Sequence, residues 1–320
     1  MLLPHPTGAV SAALIRAMRA DDPSAAPTPS DVPRPADPMT DADTQLALWI
    51  GYELHYRGFD DVAPTWEWEP RLIALRRALE ANVLSALRRD VEVPTHRPVP
   101  EALAKLVDSD TGPSLSRYIQ REASRDQVLD YIKQRSTYQL KEADPHTWAI
   151  PRLRGRAKSA LVEIQADEYG AGSVTQMHSE LFAQTMRSLG LDDSYGAYVG
   201  DAAPITLAVS NVMSLFALRR DLRGAIVGHL AAYEMTSSLP CRRYAAGLRR
   251  LGEDDIACAF YDVHVMADAL HEQLAAYDLC GSLADDEPEL ADDILFGAAA
   301  CLYIEGRFGA HLLSLWAVVA

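Results

Sequence analysis

YDVHVMADALHEQL, residues 261–274, places His264, Asp268 and His271 at i, i+4 and i+7. On an α-helix, at about 100° per residue, these side chains fall within roughly a 60° arc of one face. Val263, Met266, Ala267 and Leu270 lie alongside and favour burial of the same segment. Three metal-competent groups on a buried face are costly to desolvate unless something coordinates them. The competing reading is an exposed polar stripe, and the apolar neighbours weigh against it. The stretch therefore predicts a buried, ligand-bearing helix.

Helical patterning extends outward from there. Leu46, Ile50 and Leu54 recur at i, i+4 and i+8 before a stop at Gly58, and EPRLIALRRALEANVLSALRR (69–89) carries Pro70 in its first turn. Further helices are expected over 114–122, 124–142, 155–170, 173–189, 204–218, 219–238, 240–250, 253–278 and 289–318. No convincing run of alternating β-branched residues and no repeat of fixed period occurs. The reading is an all-α helical bundle with short connections, residues 44–110 supplying accessory helices and 114–318 the ligand-bearing bundle. Upstream, DDPSAAPTPSDVPRPADPMTDAD (21–43) is proline-rich and lacks apolar periodicity. Residues 1–43 are accordingly expected to be a flexible segment and linker, with one or two helical turns over Ser11–Ala20. Three prolines between Asp90 and Pro100 mark another break.

The 320 residues are 48% hydrophobic, enough for a large core. A formal charge of −15 argues against a nucleic-acid surface, which needs a basic footprint, and tolerates a cationic small substrate. No apolar run is long enough to span a membrane. The opening MLLPHPTGAV lacks the basic flank and apolar stretch of a secretory signal, so a cytoplasmic location is expected. Cys241, Cys258, Cys280 and Cys301 form no CxxC pair and read as reduced core thiols. His, Asp and Glu remain as the ligand set, which favours iron or manganese over structural zinc.

One helix cannot complete a dinuclear site. Glu234 stands in the almost uncharged AIVGHLAAYEMTSS, where a lone carboxylate is paired, protonated or metal-bound. Glu142 closes YIKQRSTYQLKEA, Glu168 ends SALVEIQADE, and His178 follows the Gly170/Gly172 break in VTQMHSELF. Taken singly, each of these three is more often a surface residue; their joint occurrence is the signal. Asp167, Tyr233 and Tyr277 are candidates for orienting ligands, with ordinary packing equally open. His229 reads as a satisfied core histidine, and Asp262 points off the ligand face.

The ordered set Glu142, Glu168, His178, Glu234, His264, Asp268, His271 resembles the heme-oxygenase-like diiron oxidases and oxygenases, from about Thr44 (with WIGYELHYRGF) to Ala320. The His ten positions after Glu168, together with Glu142, is similar to the branch with three histidines and four carboxylates, which oxidises nitrogen. The resemblance implies a heme-oxygenase-like helical fold, two Fe(II)/Fe(III) ions held by those seven residues, and O2 as co-substrate through a peroxo-diferric intermediate. It implies a non-haem diiron monooxygenase taking an amine, guanidine or aminoazole nitrogen to hydroxylamine, nitroso or nitro in natural-product biosynthesis. Neither a flavin fingerprint nor an iron–sulfur motif is present, so an external electron donor or reductase is expected. The other expected partners are a small amine-bearing substrate and a second copy of the chain in a homodimer. Two alternatives stay open: a desaturase or C–C-cleaving oxidase of the same fold, and a non-catalytic helical metal-binding or interaction protein.

Overall fold

A computed structural model describes residues 1–95, 98–112 and 114–317, with the side chains of 266–270 outside the description. It contains fifteen α-helices and, among the described residues, no β-strand. They are α1 Ala9–Arg19, α2 Ala42–Glu53, α3 Pro70–Asp90, α4 Val99–Asp108, α5 Leu115–Arg121, α6 Arg125–Gln139, α7 Asp144–Thr147 and α8 Gly155–Glu168. There follow α9 His178–Ser188, α10 Pro204–Leu218, α11 Arg223–Thr236, α12 Ser238–Arg250, α13 Asp255–Gln273, α14 Ser282–Asp286 and α15 Ala291–Leu315. The described residues thus form an all-α bundle, as expected.

The most apolar segments form the centre. In α10 every residue from Ile205 to Ala217 is buried, as expected of a helix hydrophobic all round. It packs against α2, α11 and α15. Helices α11 and α15 touch backbone to backbone: a Cβ on Gly228 would overlap the Ile294 carbonyl, and one on Gly297 the Ala225 carbonyl. Around this core α12 packs on α13 and α5, while α9 packs on α13. Helix α13 runs on into a π-helical segment, Leu274–Gly281, which lies on α8 and α11. Local signals set several helix starts. Ser124 and Gln127 form a capping box for α6, Asp41 caps α2 at Thr44, and Glu69 with Pro70 starts α3.

The N-terminal part departs from its expectation. Helix α1 has three turns rather than one or two, because Asp43 on α2 accepts from the Val10 and Ser11 amides at 2.8 Å each. Residues 21–43, expected to be a flexible linker, are tied to the bundle along their length. Trp66 donates to Asp21 Oδ1, Arg71 to the Ser24 carbonyl, Asn82 to the Pro33 carbonyl and Gln45 to the Pro38 carbonyl. Asp37 pairs with Arg307, and Met39 is buried. Composition measured the cost of ordering this segment, not the partners waiting for it elsewhere in the chain. Helix α4 was hidden among its flanking prolines; α9 starts at His178, five residues after the expected 173, and α11 at Arg223 rather than 219.

Candidate metal centre

Five pieces of backbone bring the site together. Glu142 lies in the turn after α6, Glu168 ends α8, His178 starts α9, Glu234 stands near the end of α11, and His264 and His271 share α13. The loop between Glu168 and His178 folds back sharply, with Gly170, Ala171 and Gly172 all at positive φ. Glycine is required at 170, where a Cβ would stand 2.6 Å from the Met177 nitrogen and the Gln176 carbonyl carbon. That close approach returns His178 to Glu168. Just past Glu234, at the C-terminal end of α11, Thr236 donates back to the Ala232 carbonyl, and Pro240 lacks the N–H that would continue the ladder; the chain bends there into α12.

Six of the seven residues expected as ligands converge. Donor atoms of Glu142, Glu168, His178 and His264 lie within 4.8 Å of one another, and so do those of Glu168, Glu234 and His271. Glu168 belongs to both groups. The side chain of Asp268, the seventh, lies outside the described residues. His264 Nδ1 is 2.8 Å from the Phe260 carbonyl, which fixes a donor there and leaves Nε2 facing Glu142 Oε1 at 3.7 Å. His271 is oriented the opposite way: Nε2 is 2.9 Å from Asp167 Oδ2 and Nδ1 is 3.3 Å from Glu234 Oε2. Each ring has one nitrogen held by an outer partner and the other turned to the carboxylates, the arrangement that orients an imidazole ligand.

The donor set fits a cation. Glu142 Oε2 and His178 Nδ1 are enclosed and have no hydrogen-bond partner among the described residues, although His178 Nδ1 is only 3.0 Å from Glu168 Oε2. Orphaned acceptors aimed at one point are explained by an ion between them. Electrostatics agree. Burial opposes charge on His264, yet Glu142 and Glu168 raise it to about 10; burial likewise opposes His271, which Glu234, Asp167 and Glu168 raise to about 9. Burial would lift Glu168, and the surrounding imidazoles bring it down to about 2. Without metal, protons hold these groups together; a divalent ion can take their place.

A cavity of about 970 Å³ opens onto Glu142, Glu168, Glu234 and His264. Its wall includes Tyr138, stacked on Tyr233 at 5.7 Å, and Arg135, bound to Glu305 at 2.7 and 2.5 Å. Tyr233 also donates to Glu305 at 2.7 Å. Of the three residues suggested as ligand-orienting, Asp167 meets His271, Tyr233 braces Glu305 in the cavity wall, and Tyr277 is exposed. Asp262 pairs with Arg249, off the ligand face. His229 is satisfied at one nitrogen only: Nδ1 faces His146 Nε2 at 3.3 Å, and Nε2 has no partner among the described residues. Sequence reasoning missed Arg135, Tyr138 and Glu305; only the helical register of α6 and α15 relative to the ligands could have pointed to them. None of the four cysteines forms a disulfide among the described residues, and all four are buried. Among the described residues no helix is long and apolar enough to cross a membrane.

Two comparisons bear on this geometry. The family model described as iron-containing redox enzyme matches residues 129–306, a span that contains all seven expected ligands. Nitrosourea synthase of Streptomyces achromogenes subsp. streptozoticus is 30% identical over 138 residues, 42% of this chain and 29% of that enzyme. The chain spans under a third of the length of that curated relative.

Proposed function

The chain belongs to the iron-containing redox enzyme family, and on that premise we propose that it is a non-haem diiron N-oxygenase. Its substrate would be a small metabolite bearing an amine, guanidine or aminoazole nitrogen, oxidised with O2 in natural-product biosynthesis. The observation that carries the proposal is the membership of Glu168 in both donor groups. A carboxylate with one oxygen for each of two adjacent ions is the usual bridge of a dinuclear centre in a helical bundle. Iron, when bound, supplies electrons and open coordination positions for O2.

In this reading Glu142, Glu168, His178 and His264 hold one ion and Glu168, Glu234 and His271 the other, with Asp268 as a further ligand. Asp167 and the Phe260 carbonyl keep the two α13 imidazoles in the orientation that presents a lone pair inward. Two features support nitrogen as the atom oxidised. A nitrosourea, the product in the relative's name, contains an oxidised nitrogen. The cavity wall also carries Gln139 Oε1, Ser237 Oγ and Tyr261 Oη, all enclosed and without hydrogen-bond partners among the described residues. A wall with such polar residues suits a polar, nitrogen-bearing substrate better than a hydrocarbon chain.

The test has two stages. Anaerobic Fe(II) titration should end at two equivalents per chain. With an amine substrate, an external reductant and ¹⁸O2, the product should gain labelled oxygen on nitrogen. A single equivalent, or a product that has lost hydrogen or carbon without gaining oxygen, overturns the proposal.

A further inference from the structure

The cavity has a second charged region apart from the donor groups. Arg243 on α12 lines it, as do Ser114 and Ser116 at the start of α5. Arg243 is half-buried, and its Nη1 donates to Ser114 Oγ at 3.2 Å and to Ser116 Oγ at 3.3 Å. Both acceptors are neutral. Among the described residues no carboxylate lies within ion-pairing distance of Arg243, whereas Arg135 in the same wall is locked onto Glu305. In a chain with 45 acidic and 30 basic residues, this half-buried guanidinium lines the cavity with only neutral hydroxyls as partners among the described residues. A partly desolvated cation needs a counter-charge to offset its lost hydration.

The two serines can add donors to the same site. Ser114 Oγ and Ser116 Oγ are 3.3 Å apart, so while one hydroxyl donates to the other, a proton remains to point outward. A guanidinium with hydroxyl donors beside it is a receptor for an oxyanion. The same cavity is also lined by Glu142, Glu168 and Glu234, which repel anions and draw a cationic nitrogen.

We propose that Arg243, Ser114 and Ser116 bind an oxyanion of the substrate, a carboxylate or a phosphate, while its nitrogen faces the carboxylate–imidazole groups. The oxyanion site stands on its own geometry; only the fate of the nitrogen rests on the N-oxygenase reading. A cavity of about 970 Å³ is large enough to take both ends of such a bipolar molecule.

The test uses the iron-loaded, full-length protein under anaerobic conditions. Binding of 6-aminohexanoate, 8-aminooctanoate and 12-aminododecanoate is compared by calorimetry with binding of their primary amides, and inorganic phosphate and acetate serve as competitors. At least one amino carboxylate should bind roughly tenfold or more tightly than its amide. Arg243→Gln should lower carboxylate binding to the amide level without altering amide binding, and Arg243→Lys should restore part of it. Stronger competition by phosphate assigns a phosphate ester, and stronger competition by acetate a carboxylate. Equal binding of acids and amides, uptake of no probe or competitor, or a preference that survives in folded Arg243→Gln overturns the oxyanion site. Should that variant fail to fold, Ser114→Ala combined with Ser116→Ala decides, an unchanged preference being the refuting result. Product mass separates the two proposals. Acids that bind through Arg243 but emerge unoxidised remove the N-oxygenase reading alone; acids and amides oxidised at nitrogen with equal KM remove the oxyanion site alone.

Discussion

Replacing Glu53 by Gln tests whether the N-terminal helices help to place the metal ligands. Glu53 at the end of α2 is 0% exposed and pairs with Lys141, 1% exposed, directly before Glu142 in the chain. Tyr195 donates to the other Glu53 oxygen at 2.5 Å, and the Lys141 ammonium lies 4.2 Å from the Tyr56 ring centroid. Glutamine keeps the shape and an acceptor for Tyr195 but leaves an ammonium enclosed without its counter-charge. Breaking a buried pair from one side costs about 3–5 kcal/mol, a large share of a domain's total stability. For a chain of this size the melting temperature should fall on the order of 10 °C. Glu53→Gln combined with Lys141→Met should recover most of the loss, since an apolar replacement of both partners is often neutral. Differential scanning calorimetry of the metal-free protein measures the first effect. Anaerobic Fe(II) titration measures the second: affinity should weaken first at the ion that Glu142 would hold. A variant that melts within a degree or two of the parent, or that is destabilised yet binds iron unchanged, would show that this pair does not position Glu142.

Three further outcomes are expected. Glu142→Ala removes a donor from one group and Glu168→Ala from both, so the first variant should retain one tightly bound iron and the second none; equal stoichiometry in the two refutes the shared carboxylate. In the metal-free protein His264 and His271 are raised to about 10 and 9, so their stabilisation is complete below 6.5 and fades as pH rises through 9–10. Glu168, lowered to about 2, contributes above 4.5 and loses its effect as pH falls through 2. Melting temperature without metal should therefore be highest between pH 4.5 and 6.5, and Fe(II) uptake near pH 7.5 should release about two protons, read by calorimetry in buffers of different ionisation enthalpy; a steady rise in stability from pH 7 to 9 contradicts this. Gly170→Ala should cost about 1–3 kcal/mol and weaken iron binding, because φ is positive and the Cβ meets the Gln176–Met177 backbone. Gly172→Ala, with φ positive but open space, should cost about 1 kcal/mol and leave iron binding intact, and equal effects of the two substitutions on iron would refute the role of that contact.

Much of the bundle was legible because its signals are local. The face of α13 follows from the spacing of His264, Asp268 and His271, and the uncharged, largely apolar run over 204–218 reads as a helix. The break at Gly170 and Gly172 could be read as well, but not that it folds His178 back onto Glu168. Glu142, in a turn rather than on a periodic face, gave no signal singly and was a candidate only jointly with Glu168 and His178, which the family resemblance then supported. The rest depends on partners distant in sequence. Asp43 caps α1 from another helix, and residues 21–43 are held by Trp66, Arg71, Asn82 and Arg307. The choice between packing and ligand orientation for Asp167 waited on where His271 Nε2 points, 104 residues away. Arg243 and Ser116, 127 residues apart, carry no joint signature along the chain.

The glycine contact between α11 and α15 also bears on how this cavity can change. The helices touch at Gly228 and Gly297, and further along the same pair Tyr233 donates to Glu305 in the cavity wall. A methyl group added at either glycine meets backbone rather than a side chain that could turn aside, so the helices must part. Tyr233 and Glu305 ride on those two helices, so this part of the cavity wall is adjustable by mutation at glycines outside the cavity lining.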